Sequence, residues 1–206
     1  MAESEQPQIY LITPPEFELS SFPAQLARVL DSHDIACLRL DLASSDEDKI
    51  SRAADAVRAV AHERDVALVI TEHLVLAERL GLDGVHLTDG ARSVRSARKM
   101  LGKEAIVGAF CGTSRHDGMT AGEAGADYIC FGPAGTSDLG DGSRAEADLF
   151  QWWSQMIELP VVAEGALDVE TVGALAPYTD FFGIGREIWD QDDPVAALGR
   201  LITAMG

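Results

Sequence analysis

Short apolar segments, each followed by a stretch with helical spacing of its apolar residues, recur eight times along this chain. Continuous β-rich runs such as ALVIT (Ala67–Thr71) are typical of parallel strands that are buried on both faces. Strands that alternate with helices predict right-handed βαβ crossovers and a parallel sheet. Eight such units in 206 residues therefore predict a closed (β/α)8 TIM barrel, near the lower size limit of that fold.

The predicted strands lie at 9–13, 35–42, 67–71, 84–87, 106–110, 127–131, 160–165 and 180–185. A doubly wound open sheet is the competing fold. It usually carries a glycine-rich nucleotide-binding turn after its first strand, whereas Pro14 and Pro15 stand there in this chain. No linker or low-complexity segment divides the sequence, so we expect a single domain over residues 1–206.

The net charge of −18 limits the partners of the protein. It disfavours nucleic acid and anionic membranes, and a phosphorylated ligand would need cations and backbone N–H groups placed locally. The three cysteines are widely spaced and form no metal or disulfide pattern, which is typical of a reduced compartment. No signal peptide is expected from MAESEQPQIY, and no apolar run approaches the roughly 20 residues that span a bilayer. We therefore expect a cytoplasmic protein, and its oligomeric state stays open, a homo-oligomer included.

Function in a barrel is located at the carboxyl ends of the strands. On the second strand, the period of two places Cys37, Arg39 and Asp41 on one face and the intervening leucines on the other. A charged pair on a buried strand is costly unless it is solvated or paired. Two interpretations are open: a polar barrel mouth, or an internal Arg39–Asp41 ion pair.

The last two strands are followed by turns of the kind that cradle phosphate in barrels. Gly165 and Ala166 follow the seventh strand, and Gly185 follows the eighth, where backbone N–H groups commonly bind a phosphate. Arg186 would add charge-assisted hydrogen bonds. The alternatives are that these residues only form tight turns, or that Arg186 pairs with Glu187, Asp190 or Glu164 instead and blocks the pocket.

Carboxylates near other strand ends offer oxygen ligands for Mg²⁺: Glu72, Asp89, and Asp138 or Asp141. In so acidic a chain, a solvated rim is the competing interpretation. His86 lies within a predicted strand and is expected to be a core histidine, and Trp152 and Trp153 are expected to pack or form an interface. No nucleophile–base pair is predicted.

Motifs in the same order over nearly the whole chain resemble those of the thiamine phosphate synthase and thiazole tautomerase family. They are IYLIT (9–13), GVHL (84–87), GADYICFGP (125–133), PVVAEGAL (160–167) and FFGIGREI (181–188). The resemblance implies a transferase of thiamine biosynthesis on a TIM barrel. Such an enzyme joins a pyrimidine pyrophosphate to a thiazole phosphate with Mg²⁺ and releases pyrophosphate.

The resemblance also assigns positions in the site. The family pattern Gln-x-Arg-x-Lys falls on Cys37, Arg39 and Asp41, so a pyrophosphate-binding cation has become an anion. The Asn-Asp-Arg pattern falls on 71–73, and a second metal aspartate falls on Ala91. The resemblance thus implies a metal ligand at Glu72 and substrate contacts at Arg39, Thr71 and His73.

Further substrate and phosphate positions implied by the resemblance come after the sixth, seventh and eighth strands. They are Thr136 and Ser137, where no lysine comes next as it does in the family, then Gly165, Ala166, Gly185 and Arg186. The tautomerase histidine falls on Pro133. Because a cation and a metal ligand are replaced, we expect binding of a small phosphorylated ligand but weak or lost transfer. The alternatives are a catalytically silent binding or regulatory protein, or a different enzyme acting on another phosphorylated small molecule.

Overall fold

The computed structural model of the protein describes residues 6–136 and 143–206. Within these ranges eight strands form one closed barrel in which every neighbouring pair is parallel. The strands are β1 Gln8–Ile12, β2 Ile35–Leu40, β3 Ala67–Thr71, β4 Gly84–Leu87, β5 Ile106–Phe110, β6 Tyr128–Phe131, β7 Val161–Glu164 and β8 Phe181–Ile184. The pairing of β1 with β8 closes the barrel, which confirms the predicted (β/α)8 fold.

Several strands are a residue or two shorter than predicted, for local reasons. β2 ends at Leu40, because the backbone N–H of Asp41 donates to the hydroxyl of Thr13 at 3.0 Å. β7 begins only at Val161, after Pro160, which has no N–H to donate to a neighbouring strand.

The helices surround the barrel and alternate with the strands. In the described ranges they are α1 Phe22–Ser32, α2 Glu47–His62, α3 Leu74–Leu80, α4 Val94–Leu101, α5 Arg115–Ala124, α6 Ala147–Met156, α7 Val169–Leu175, α8 Arg186–Trp189 and α9 Pro194–Ala204, with a 3₁₀ turn at Ala176–Tyr178. None of the helices described is both long and apolar enough to cross a membrane.

Side chains cap the N-termini of several helices. Asp46 accepts hydrogen bonds from the N–H groups of Asp48 and Lys49, and Ser114 accepts from Asp117. Asp168 and Asp193 cap α7 and α9 in the same way. Such caps satisfy the free N–H groups of the first helical turn and each stabilise the fold by about 1 kcal/mol.

Two layers of apolar side chains make up the core. The larger lies between the strands and the helices and includes Leu38 and Leu40 of β2. The smaller fills the barrel lumen, with Tyr10, Cys37, Val69, Tyr128, Cys130 and Val162. Gly108 leaves room there for the ring of Tyr128, since a Cβ atom at this position would lie 2.0 Å from Cζ of that ring. The predicted alternation of faces on β2 is therefore confirmed.

Three aspartates close the amino-terminal end of the barrel in the same manner. Asp83, Asp127 and Asp180 each precede an even-numbered strand. Each carboxylate accepts a backbone N–H from the strand before it: Leu68 at 2.7 Å, Val107 at 2.7 Å and Val161 at 2.8 Å. This end of the barrel uses its carboxylates to hold strands together.

Candidate active site at the carboxyl end of the barrel

A cleft of about 680 Å³ opens where β1, β2, β7 and β8 end. Its volume suits a small organic ligand. The structure brings together here five of the residues predicted for substrate binding, Arg39, Gly165, Ala166, Gly185 and Arg186. Four carboxylates line the same cleft, those of Asp41, Glu164, Glu187 and Asp190.

Arg39 lies at the inner end of the cleft and is only 5% exposed. Its Nη1 donates to Oε2 of Glu164 at 2.9 Å, and its Nη2 donates to Oδ2 of Asp41 at 3.2 Å. The guanidinium carbon lies 5.7 Å from the centre of the Tyr10 ring. Both interpretations of Arg39 and Asp41 therefore apply, because the two side chains form an ion pair and also line the polar mouth of the barrel.

The charge of Arg39 is balanced inside the protein. Burial alone would lower the pKa of the guanidinium, but the groups around it, Glu164 first and then Tyr10 and Asp41, outweigh burial and hold that pKa above its ordinary value. Two carboxylates facing one guanidinium leave it little unbalanced charge for an anionic ligand. The Nε of Arg39 is itself buried and has no hydrogen-bond partner among the described residues.

Sequence reasoning missed Glu164 as the nearer partner of Arg39. Val162 on β7 faces the lumen, so the period of two places Glu164 on the lumen face as well. That alternation could have identified Glu164, although not the distant strand that supplies its partner.

The turns after β7 and β8 have the backbone expected of a ligand-binding loop. Gly165 has φ 90° and Ala166 has φ 53°, so both lie in the left-handed region that favours glycine. A non-glycine residue held in this region stores strain, which is common where a loop contacts a ligand. Ala166 keeps this conformation where the family resemblance implies a second glycine.

Glu187 occupies backbone donors of these two turns. Its Oε2 accepts the N–H of Gly185 at 2.8 Å, and its Oε1 accepts the N–H of Leu167 at 3.2 Å. One carboxylate therefore bridges the loop after β7 and the loop after β8. The sequence prediction treats Glu187 only as a partner for Arg186, because nothing local indicates a contact with Leu167.

Arg186 extends towards solvent at the rim of the cleft. Its side chain is 71% exposed, and its Nε lies 3.3 Å from Oδ2 of Asp190, one helical turn away. An exposed pair of this kind contributes only about 0–1 kcal/mol to stability. The arginine can therefore exchange this partner for a ligand at little cost.

The residues predicted at the end of β3 do not line this cleft. Among the residues that the structure describes, the buried hydroxyl of Thr71 has no hydrogen-bond partner, and His73 is half-buried just before α3 with no side-chain capping bond. Glu72 has φ 64°, and its carboxylate accepts a hydrogen bond from the hydroxyl of Thr88. Asp89 accepts a hydrogen bond from Ser93 at 2.6 Å.

The fit of a magnesium ion depends on Glu72. Among residues 6–136 and 143–206, no group of three or more His, Cys, Asp or Glu side chains is arranged to hold a metal. Mg²⁺ commonly uses only one or two protein carboxylates, with water and substrate phosphates as its other ligands. The exposed carboxylate of Glu72 fits that minimal arrangement, while Ala91 supplies no second one.

The loop after β6 holds the remaining predicted residues. Thr136 is exposed and is the last residue described before a gap. Ser137, Asp138 and Asp141 lie outside the described residues.

His86 belongs to a hydrogen-bonded chain in the lumen, as expected of a core histidine. Its Nδ1 lies 2.9 Å from the hydroxyl of Tyr128, which lies 2.5 Å from the hydroxyl of Tyr10. Burial, and then the charge of Arg39, holds the pKa of His86 well below its ordinary value. His86 is therefore neutral.

None of the three cysteines is activated as a nucleophile. All are buried and unpaired. Burial raises the pKa of Cys37 and of Cys111 to about 12 and also raises that of Cys130. A thiolate, the reactive form, is thus disfavoured at each position.

Comparison with known proteins gives a consistent result. The family model described as thiamine monophosphate synthase matches residues 9–180. A thiamine-phosphate synthase of Rhodospirillum centenum is 39% identical over 196 residues, covering 93% of this chain and 94% of that protein. One of Erythrobacter litoralis is 37% identical over 203 residues, covering 95% of each chain.

Among solved structures, thiamine phosphate pyrophosphorylase from Pyrococcus furiosus matches with a TM-score of 0.81 at 17% identity, over 96% of this chain and 95% of that one. At this identity the likeness shows the fold alone. The family model and the relatives decide the assignment, since both span most of the sequence. This chain belongs to the thiamine monophosphate synthase family.

Proposed function

We propose that this chain binds a small phosphorylated ligand at the cleft on the carboxyl end of its barrel and catalyses the family's transfer reaction only weakly. In that reaction, as the family resemblance implies it, a pyrimidine pyrophosphate is joined to a thiazole phosphate. A cytoplasmic location is part of the proposal, supported by the three unpaired thiols.

The observation that carries the proposal is the charge of the cleft. Its lining includes the cations Arg39 and Arg186 and four carboxylates, with no lysine among the lining residues described. Arg39 already pairs with two of those carboxylates, one of which, Asp41, stands where the family has a lysine. Two unit charges about 4 Å apart interact by about 4 kcal/mol at an effective dielectric near 20. A change from attraction to repulsion at Asp41 would weaken pyrophosphate binding by orders of magnitude.

Magnesium has a reduced role in this proposal. Glu72 is the residue that would hold it, and a bound Mg²⁺ would neutralise charge on the pyrophosphate oxygens. With Ala91 in place of a second carboxylate, Glu72 would hold the ion less tightly than a pair would.

Binding of a phosphate monoester is supported by features that remain. The turns after β7 and β8 line one cleft, where Glu187 accepts a backbone N–H from each, and the left-handed conformation is kept even at Ala166. Arg186 lies at the rim of the cleft, where its ion pair with Asp190 is exposed and weak. Its guanidinium can form bidentate hydrogen bonds to a phosphate.

Turnover by the purified protein tests the catalytic half. The two family substrates are supplied with Mg²⁺, and formation of thiamine phosphate is measured against a family member that carries the Gln-x-Arg-x-Lys pattern. We expect a rate lower by about a hundredfold or more. A rate equal to that of the control would refute the proposal.

Calorimetry tests the binding half. Thiazole phosphate is expected to bind the wild-type protein with a Kd of about 1 mM, and the Arg186→Ala substitution is expected to weaken this binding. If Arg186→Ala bound thiazole phosphate more tightly than wild type, the arginine would instead be shown to block the cleft.

A further inference from the structure

Glu187 lines the cleft at the turns after β7 and β8. We infer that its carboxylate is a built-in occupant of the turns after β7 and β8, so that a phosphate can bind there only by displacing it. Glu187 would then be a specificity-determining residue that sets the affinity of this cleft for phosphate monoesters.

The hydrogen bonds of Glu187 support this role. Each of its two oxygens accepts one backbone N–H, from Gly185 on one loop and from Leu167 on the other. A phosphate oxygen would use the same donors in the same way, because both groups are anions that accept hydrogen bonds from N–H groups. The carboxylate therefore resembles the ligand in charge and in hydrogen bonding.

Arg39 gives a second, independent indication that the cleft is built for a ligand. This residue is only 5% exposed, lines the same cleft as Glu187, and has a buried Nε–H with no hydrogen-bond partner in the described part of the chain. A buried donor left unpaired loses the hydrogen bonds it would make to water, so such donors are uncommon in proteins. An acceptor bound beside Arg39 would complete the hydrogen bonding of this nitrogen.

Charge in the cleft explains why displacement is required. A phosphate placed beside an intact Glu187 would face that carboxylate and those of Asp41, Glu164 and Asp190. The two arginines of the lining cannot balance all four. When Glu187 moves away, one of these negative charges leaves and two N–H donors become free.

The inference rests on the proposed function, since it concerns the phosphate site of that function. Its competitor is a purely structural role, in which Glu187 only ties the two loops together. The two roles differ in the effect of removing the carboxylate. If Glu187 occupies a phosphate site, its removal lets phosphate bind there. If Glu187 only connects the two loops, its removal makes the loops more mobile without creating a phosphate site.

The test uses inorganic phosphate as the probe and amide NMR as the readout, with the full chain as wild type, Glu187→Ala and Glu187→Gln. In Glu187→Ala we expect phosphate to shift the amide signals of Gly185 and Leu167, with an affinity about tenfold or more above wild type. Glu187→Gln keeps an oxygen that can accept a hydrogen bond from the loops but loses the negative charge. We therefore expect its affinity for phosphate to lie between those of wild type and Glu187→Ala. Phosphate should also raise the melting temperature of Glu187→Ala more than that of wild type.

Asp190→Ala is the matched control, because it removes the same charge from the same cleft without freeing the Gly185 or Leu167 donor. We expect no gain in phosphate binding at those two amides. Equal affinity in wild type and Glu187→Ala, or no shift at these amides in a folded Glu187→Ala or Glu187→Gln, would overturn the inference.

Failure of the proposed function would look different from failure of the inference. In that case inorganic phosphate would still bind Glu187→Ala at the two amides, while thiazole phosphate would bind neither protein. That outcome would support the role of Glu187 and reject the ligand.

Discussion

The two ends of the barrel use carboxylates in opposite ways. At the amino-terminal end, Asp83, Asp127 and Asp180 each accept one strand N–H and hold neighbouring strands together. At the carboxyl end, Asp41 and Glu164 converge on one buried guanidinium, that of Arg39. Acidic residues hold strands together at one end of the fold, and at the other end they pair with a buried cation.

A change of charge at the carboxyl end should have the largest effect. We predict that Asp41→Lys with Ala91→Asp raises affinity for magnesium pyrophosphate by about a hundredfold or more, because repulsion becomes attraction and a second metal carboxylate is supplied. Calorimetry measures this affinity in the wild-type protein and in the double variant. Asp190→Lys places the same new charge at the exposed rim and should give a much smaller gain. Equal gains in the two variants would mean that the charge at position 41 has no more effect on pyrophosphate binding than a charge at the exposed rim.

Loss of the buried cation should cost stability at the same end. Arg39→Met leaves Glu164, whose side chain is 15% exposed, without its partner, and we expect a loss of about 3 kcal/mol in the free energy of unfolding. A second change, Glu164→Gln, should restore part of it. Arg186→Met, which breaks an exposed pair, should cost less than about 1 kcal/mol. Denaturant unfolding that gives equal losses for the two arginines would contradict the role assigned to burial.

At the amino-terminal end, removal of a carboxylate should affect stability alone. Asp180→Ala leaves the N–H of Val161 without its side-chain acceptor, so we predict a loss of about 1–3 kcal/mol in the free energy of unfolding. Ligand binding at the opposite end should stay unchanged. A change in phosphate affinity in this variant would show that the two ends are coupled.

Between the two ends, His86 should give the fold a pH dependence. The pKa of His86 is depressed in the folded state, so below its ordinary value of 6.5 the unfolded chain binds a proton that the folded chain does not. Stability is then complete above that pH and falls as the pH drops, by at most about 1.4 kcal/mol per pH unit. His86→Gln should remove this contribution. Identical slopes in wild type and variant, from denaturant unfolding across this range, would exclude His86 as its source.

Much of the fold could be predicted from the sequence, because its determinants are local. The period of two along β2 predicts that Arg39 and Asp41 share a face, and both interpretations of the pair hold in the structure. The cap at Asp168 is likewise predictable, because the residues that make it lie three positions apart. Strand and helix patterns of this kind depend on neighbours in the chain.

The candidate site could be predicted only in part, because its decisive contacts are distant in sequence. Glu164 lies 125 positions from Arg39, and Glu187 lies 20 positions from Leu167. Strand alternation indicates that Glu164 faces the lumen but not which charge it meets there. No periodicity indicates that Glu187 accepts hydrogen bonds from two loops.

At the carboxyl end of the barrel, the charge of Arg39 is already balanced by carboxylates of the protein itself. Titration of magnesium pyrophosphate into the wild-type protein in a calorimeter measures how much attraction is left for an anionic ligand. We predict a Kd of about 1 mM or weaker, since Arg39 is paired with Asp41 and Glu164. A Kd of about 1 μM would contradict this prediction, because the cleft would then hold a strongly charged anion despite those carboxylates.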